Sequence, residues 1–243
     1  MKNVIVDIAS KGQTELAKAI VDGKLNILGV TVSPDVENYA ALANYNLEAV
    51  RAISDVNVYL GAQRPLLDDR FVKGKSFLGV GDTQYYFNSP HAVNFLIESA
   101  GEYDDLEIIA LGPWTNIALA IMKDEAAMKR VKRIYVVGGA LLGYRTDTPT
   151  SEYNILCDCE AADTVFKAGI PITLIPPHVS KNSARLAFEV AAGREVPVWK
   201  AYITIDTGIG FSRGQTVIDT VGRNPINGET TEGMLQTVVI GEE

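Results

Sequence analysis

The sequence predicts an α/β fold with an open, mostly parallel sheet, helices on both of its faces and an antiparallel ribbon at the C-terminal end. As far as Ala192, short β-branched runs alternate with amphipathic segments, a pattern typical of β–α–β units with parallel strands. From Val196 on, strand-like segments are separated by Gly, Asn and Pro, which favours antiparallel pairing. The arrangement is Rossmann-like. We expect residues 1–243 to form a single domain, because a chain of this length can bury one substantial core.

The opening stretch has the pattern of a buried strand, a tight turn and the start of a helix. Val4–Ile8 is a β-branched run, which is typical of a central parallel strand. Ser10 and Gln13 have the spacing of a capping box, and Gly12 eases the turn. Ligands of open α/β sheets bind beyond the carboxyl ends of the strands, so we expect a site in the turn that follows Asp7.

The remaining elements are bounded by turn residues. We predict further strands over Leu25–Val32, Asn57–Leu60, Leu106–Leu111, Ile134–Val137, Ile172–Ile175, Val198–Ile205, Gln215–Asp219 and Leu235–Ile240. We predict helices over Gln13–Val21, from Pro34 to Val50, over Pro90–Ala100, from Pro113, from Asp158 to Gly169 and over Ser180–Ala192. Pro113 is expected at the first helical position, where its missing N–H costs nothing, and Asp158 is expected to be an N-cap. Residues 61–90 are expected to be a flexible loop.

Composition and charge argue against several functional classes. The net charge of -8 disfavours binding to nucleic acids and to anionic membranes. No apolar run approaches the roughly 18 residues of a membrane-spanning helix, and the N-terminus lacks the pattern of a signal peptide. Cys157 and Cys159 are too close for a structural disulfide and have no obvious cluster of metal-ligating partners. Reduced thiols are therefore favoured, and we expect a cytoplasmic protein.

Six short blocks occur in order along the chain. They are Gly29–Val32 (GVTV), Val58–Leu66 (VYLGAQRPL), Ala110–Ala120 (ALGPWTNIALA), Val136–Ala140 (VVGGA), Glu152–Ala162 (EYNILCDCEAA) and Arg213–Asp219 (RGQTVID). Each block alone is weakly specific. In this order, and over most of the chain, they resemble the inosine/uridine-type nucleoside hydrolases. The resemblance implies a homo-oligomer that takes a nucleoside or another ribose-containing small molecule as its ligand.

Enzymes of that family cleave the N-ribosidic bond of nucleosides with a calcium ion held by several carboxylates. A carboxylate and the ion activate a water molecule that attacks the anomeric carbon of the ribose. A hard cation requires several oxygen ligands. Activation of water at neutral pH requires that ion or a well-placed base. The family's opening motif, Asp-x-Asp-Pro-Gly-x-Asp-Asp, supplies most of the carboxylates.

The resemblance implies that most of this carboxylate set is missing here. The first aspartate of the motif falls on Asp7, but the position of the base falls on Ala9 and the final pair falls on Gln13 and Thr14. The proline and glycine fall on Ser10 and Lys11. The late His-Asp of the family has no counterpart before Arg213-Gly214. We therefore expect no metal and no cofactor, with calcium only if the family site is retained.

Some positions of the family site are retained. Asp7 and Thr115, whose backbone carbonyl faces the metal in the family, are vestigial metal positions, and Asp7 is also the candidate catalytic residue. Glu152 and Asn154 match the pair that holds the ribose hydroxyls. Lys11 and Asp35 are further candidates for ligand binding. Lys11 at a helix N-terminus faces an unfavourable dipole, so it either pairs with an anion or carboxylate such as Asp7 or points into solvent.

The sequence leaves three functional hypotheses open. The leading one is a nucleoside hydrolase-like protein that has lost the calcium site, has weak or no hydrolase activity and retains binding of a ribosyl ligand. The second is an active nucleoside N-ribohydrolase that uses rearranged groups, with Asp7 or Glu152 as the base, because glycoside cleavage can proceed with carboxylates alone. The third is a structural or interaction protein with an empty cleft.

Overall fold

The computed structural model describes residues 1–9, 12–33, 48–67, 91–140, 148–220 and 235–242. Within these residues, nine strands form one sheet in the order β3-β2-β1-β4-β5-β6-β9-β7-β8. The strands are β1 (Lys2–Ile8), β2 (Leu25–Val32), β3 (Val58–Leu60), β4 (Glu107–Ala110), β5 (Arg133–Val137), β6 (Ile172–Ile175), β7 (Val198–Ile205), β8 (Thr216–Asp219) and β9 (Gln236–Val239). A single sheet through all the described ranges supports one domain, which stays a prediction.

The helices lie on both faces of this sheet, as predicted. They are α1 (Gln13–Asp22), α2 (Ala92–Glu102), α3 (Thr115–Lys123), α4 (Glu125–Met128), α5 (Tyr153–Cys157), α6 (Cys159–Lys167) and α7 (Ser183–Ala191). Leu16 of α1 and Leu186 of α7 pack in one apolar cluster with β1 and β2. Leu96 of α2, Ile117 of α3 and Val165 of α6 pack in a second cluster. The two clusters give the sheet its two buried faces, which confirms the predicted fold class.

Strand pairing divides the sheet into a parallel part and an antiparallel edge. The pairs β1–β2, β1–β4, β2–β3, β4–β5 and β5–β6 are all parallel. Strand β7 pairs antiparallel with both β8 and β9, and β8 is the outermost strand. The predicted antiparallel ribbon at the C-terminal end is therefore confirmed. Among the described residues, no helix has the length and apolar character needed to span a bilayer.

Helix α1 begins at Gln13, as predicted, but its N-cap is Gly12, in the left-handed region at φ 100°, and no side chain caps it. The predicted capping box, which required Ser10 as the N-cap, is therefore wrong. The predicted start of α3 at Pro113 is also wrong. Helix α3 begins at Thr115, two residues after Pro113. The side chain of Thr115 is held by Asp158, and this contact fixes the first turn of α3 later than the proline would.

Asp158 is the N-cap of α6, as predicted, because its Oδ1 accepts a hydrogen bond from Ala161 N at 3.0 Å. The predicted start of α7 at Ser180 is wrong, because Asn182 caps this helix and it begins at Ser183. Residues 48–51 are helical, whereas residues 34–47 of that predicted helix, and 68–90 of the predicted flexible loop, lie outside the described residues.

Candidate functional site

The predicted site residues that the structure describes are Asp7, Thr115, Glu152 and Asn154, and they lie at the carboxyl ends of β1, β4 and β5. Asp7 lies near the end of β1 and faces Thr31 of β2 and Ala110 of β4 in the strand register. Helices α3 and α5 begin at the same edge, and they contribute Asn116 and Asn154. This is the edge at which open α/β sheets bind their ligands.

Asp7 lies at the centre of a closed hydrogen-bond network. Its carboxylate is fully buried. Oδ1 accepts from Thr31 Oγ1 at 2.5 Å and from Asn116 Nδ2 at 2.9 Å, and Oδ2 accepts from Ser33 Oγ. Thr31 is the register partner of Asp7, and Ser33 follows β2 directly, so strand pairing places both hydroxyls. Both carboxylate oxygens are therefore engaged by donors from the protein itself.

Asn116 extends this network to three neighbouring strand ends. Its Nδ2 also donates to Val32 O at 3.0 Å, and its Oδ1 accepts from Ala62 N at 2.7 Å. Gly61 is required here, since a Cβ at that position would lie 2.0 Å from Asn116 Oδ1. One amide group thus joins the ends of β1 and β2 to the segment after β3.

Burial changes the acidity of Asp7. Loss of hydration raises the pKa of its carboxyl to about 6, although the hydrogen bonds from Asn116, Ser33 and Thr31 act in the opposite direction. A carboxyl group that titrates close to neutrality is suited to proton transfer. Asp7 therefore has the acidity of a general acid or base, but its oxygens face donors of the protein.

Ala9 and Gln13 occupy two positions at which the family has aspartates. Ala9 packs against a neighbouring turn, and Gln13 makes a hydrogen bond to the backbone. Ala9 is only 3% exposed. A Cβ at Gly112 would lie 2.6 Å from Ala9 Cβ, so the end of β1 packs directly against the turn after β4. Gln13 Nε2 donates to Ala9 O at 2.9 Å, which ties the first residue of α1 back to the strand.

A second buried network lies beside the first. Thr115 Oγ1 donates to Asp158 Oδ2 at 2.7 Å, and Leu66 N donates to the same oxygen at 3.0 Å. Burial raises the pKa of the Asp158 carboxyl, against the effect of these hydrogen bonds. Thr115 is fully buried, and its side chain joins the start of α3 to the start of α6.

The described residues do not fit a calcium ion. Calcium takes six to eight oxygen ligands, several of them charged. At this edge Asp7 offers one carboxylate whose oxygens already accept hydrogen bonds from Thr31, Ser33 and Asn116. No group of three His, Cys, Asp or Glu side chains able to hold a metal occurs within the described ranges.

Glu152 and Asn154 lie together at the same edge, next to the ends of β4 and β5. Glu152 is the N-cap of α5 and 6% exposed. Its Oε1 accepts from Asn154 N at 3.0 Å and its Oε2 from Gly139 N at 3.3 Å. Asn154 Nδ2 donates to Leu111 O at 3.2 Å and to Val137 O at 2.8 Å. Backbone groups thus fix the orientation of both side chains.

The β7–β8 turn supports the segment that leads into Glu152. A Cβ at Gly214, which has φ +80°, would lie 2.3 Å from Ser151 Oγ, so the two segments are in close contact. Arg213 Nη2 lies 2.8 Å from Glu160 Oε1 in a mostly buried ion pair. These contacts give a structural role to Arg213 and Gly214, the first two residues of the last sequence block.

Sequence reasoning identified part of this arrangement. Lys11 and Asp35 lie outside the described residues. The partners of Asp7 were missed as members of a site, although Thr31 is a lone hydroxyl residue in an apolar strand and Asn116 stands in one of the six blocks. Ser33 carried no signal, since nothing in the sequence shows that its hydroxyl reaches β1.

Comparison with known proteins assigns the chain to a family. Residues 14–201 match the inosine-uridine preferring nucleoside hydrolase family. Uridine nucleosidase 1 of Arabidopsis thaliana is 37% identical over 170 residues, which cover 65% of this chain and 50% of that protein. The pyrimidine-specific ribonucleoside hydrolase RihA of Shewanella sp. is 30% identical over 192 residues, which cover 75% of this chain and 60% of that protein. The chain spans about half the length of the curated relatives it matches.

Solved structures agree on the fold. The purine-preferring ribonucleoside hydrolase from Gardnerella vaginalis superposes with a TM-score of 0.76 at 22% identity, covering 99% of this chain and 93% of that chain. A plant nucleoside hydrolase gives a TM-score of 0.76 at 20% identity, with 98% and 94% covered. The matched sequence and the shared architecture together show that this chain belongs to the inosine-uridine preferring nucleoside hydrolase family.

Proposed function

We propose that the chain binds a ribose-containing ligand at the carboxyl edge of its sheet and has lost the calcium-dependent hydrolysis of its family, so that its activity is weak or absent. One observation carries this proposal. Both oxygens of the Asp7 carboxylate already accept hydrogen bonds, which come from Thr31, Ser33 and Asn116. An ion held by Asp7 would have to break this network and leave buried donors without partners, at about 1–3 kcal/mol for each group.

The sequence at the neighbouring positions supports the same conclusion. Ala9, Gln13 and Thr14 supply no charge to offset the dehydration of a divalent ion. The raised pKa of Asp7 reports an environment that disfavours the ionised form of its carboxyl group.

Retained ribosyl binding is supported by Glu152 and Asn154. Backbone N–H groups hold the Glu152 carboxylate in one orientation, so little conformational entropy is lost when a ribose hydroxyl donates to it. The relatives named above act on nucleosides, and the ligand proposed here contains the ribose that these substrates share.

Isothermal titration of the purified chain tests both parts of the proposal. We expect no calcium binding up to about 1 mM, and binding of ribose, uridine or inosine that Glu152→Gln weakens about tenfold. Glu102→Gln, at the exposed end of α2, is the matched control and leaves binding unchanged. Calcium binding with a Kd of about 10 μM or tighter would overturn the loss of the metal site. If no ribosyl ligand binds, the hypothesis of a structural or interaction protein takes its place.

A second candidate function is an active nucleoside N-ribohydrolase with rearranged groups. The pKa of Asp7, raised to about 6, favours it, because a base that titrates near neutrality can activate water without a metal. The two relatives named from sequence are a nucleosidase and a ribonucleoside hydrolase. Release of the base from a panel of nucleosides, compared between wild type and Asp7→Asn, separates the two candidates. Turnover by the wild type that the variant loses would establish the second candidate.

A further inference from the structure

A groove lies far from the carboxyl edge, on the face of the sheet that α7 covers. Its volume is about 370 Å³. It is bounded by the end of α7 and by strand residues that include Arg133, Tyr135, Thr173 and Thr237. Strand β5 begins at Arg133 in this groove and ends at Val137 beside Asn154, about 13 Å away at the usual rise per residue. We call this groove, at the start of β5, the basic groove.

The floor of the basic groove is a row of polar side chains on three strands, and Lys200 of β7 continues this row beyond the residues that line the groove. Tyr135 of β5 faces Thr173 of β6, which faces Thr237 of β9, which faces Lys200 of β7. A sheet face packed against a helix is normally apolar at such positions. The row therefore marks a part of the face that is built to meet polar groups.

Two cations lie over this row without a carboxylate between them. Arg133 Nη1 donates to Thr173 Oγ1 at 3.0 Å, and Lys200 Nζ donates to Thr237 Oγ1 at 2.6 Å. Since the two threonines are register partners on adjacent strands, their side chains lie on one face of the sheet, about one strand spacing, roughly 5 Å, apart. Arg133 reaches this pair from β5 and Lys200 reaches it from β7, so an anion seated over the two hydroxyl groups would lie between two like charges that otherwise repel each other.

The neighbouring charges show that this arrangement is particular to these two residues. Arg194, also on the groove, is neutralised by Glu189 at 2.5 Å and lies 3.6 Å from Glu242. In the part of the chain that the structure describes, neither Arg133 nor Lys200 makes an ion pair with a carboxylate. Glu195 lines the groove, and Glu107, the register partner of Arg133, accepts a hydrogen bond from the Tyr135 hydroxyl at 3.2 Å and pairs with Lys2 at 3.1 Å. Two cations without a carboxylate partner, in a chain of net charge -8, favour a specific anion over non-specific attraction.

We propose that the basic groove binds the dianion of a phosphate monoester. The guanidinium group of Arg133 has N–H donors left after its bond to Thr173, and a planar fork of this kind matches phosphate oxygens. Lys200 supplies the second positive charge, and the hydroxyl groups of Thr173 and Thr237 fix both cations from below. This site lies apart from Asp7 and Glu152, so it does not depend on the function proposed for the carboxyl edge.

Thermal unfolding with matched anions tests the proposal. At equal ionic strength, we expect inorganic phosphate and ribose 5-phosphate to raise the Tm by about 3 °C relative to sodium chloride. Arg133→Gln and Lys200→Gln abolish this increase, and Arg133→Lys, which keeps the charge but not the fork, lowers it. Lys18→Gln removes an exposed cation of α1 and is the control that keeps the full increase.

The two phosphate probes distinguish the sources of the ligand. A larger shift with ribose 5-phosphate than with inorganic phosphate identifies a phosphorylated sugar or nucleotide, and equal shifts identify the free anion. A wild-type Tm that phosphate does not change, or an increase that survives in both glutamine variants, overturns the proposal. If Arg133→Gln does not fold, Lys200→Gln and Arg133→Lys give the same comparison.

Discussion

Asn116 Nδ2 donates to Asp7 Oδ1 at 2.9 Å across 109 positions of the chain. The same amide group is bonded to Val32 O and Ala62 N, so it contacts three strand ends at once. A carboxylate enclosed in this way is a structural element of the sheet edge as well as a candidate for chemistry. The predictions below separate these two roles.

Asn116→Ala is expected to destabilise the protein by about 3 kcal/mol, because it removes three hydrogen bonds and leaves buried partners unsatisfied. Urea unfolding followed by circular dichroism measures the effect. Asn26→Ala is the control, since Asn26 donates to Asn3 at an exposed position, and it should change the free energy of unfolding by about 0.5 kcal/mol or less. Equal losses in the two variants would contradict the structural role of the network.

Asp7 is expected to make stability depend on pH. Its pKa is raised by burial from 3.8 to about 6, so the folded state binds a proton more tightly than the unfolded state. The contribution of the protonated Asp7 carboxyl group to the free energy of unfolding is therefore complete below pH 4. This contribution is lost as the pH rises through about 6, a change of about 3 kcal/mol.

The free energy of unfolding of the wild type and of Asp7→Asn, measured from pH 4 to pH 7.5, checks this sign. The neutral amide cannot titrate, so the difference between the two proteins should grow in favour of the variant as the pH rises. Asp158, whose pKa burial also raises, titrates in both proteins and cancels in the difference. A difference that is constant with pH would show that Asp7 does not titrate in this range.

The close approach of the segment after β3 to Asn116 predicts opposite effects for two glycine substitutions. Gly61→Ala places a Cβ 2.0 Å from Asn116 Oδ1 and should destabilise the protein by about 2 kcal/mol or more. Gly101 lies in α2, and a Cβ there meets nothing within 4 Å, so Gly101→Ala should stabilise by about 0.5–1 kcal/mol. Thermal unfolding of both variants is the measurement, and a neutral Gly61→Ala would contradict the contact.

The contrast between Asp7 and its partners shows what the sequence was able to predict. Local patterns placed Asp7 at a strand end and predicted β2, β6 and β7 with their observed bounds, because hydrophobic periodicity acts over neighbouring residues. The hydroxyl of Ser33 and the amide of Asn116 reach Asp7 only through the pairing of distant strands. The basic groove was not predicted for the same reason, since its four polar side chains become a row only after β9 takes its place between β6 and β7.

Restoring the family's carboxylate at position 9 is expected to fail. Ala9 is 3% exposed and packs against the turn at Gly112, where an added Cβ would lie 2.6 Å from Ala9 Cβ, so a carboxylate placed at position 9 would be largely removed from water. Ala9→Asp should destabilise the protein by about 3 kcal/mol without creating calcium affinity, because a buried charge without a partner is unfavourable. Gln13→Asp is the companion variant, since the hydrogen bond that the Gln13 side chain makes goes to a backbone oxygen, Ala9 O. Thermal unfolding with and without millimolar calcium measures both effects, and a calcium-dependent increase in the Tm of Ala9→Asp would mean that the turn after β1 still forms a metal site.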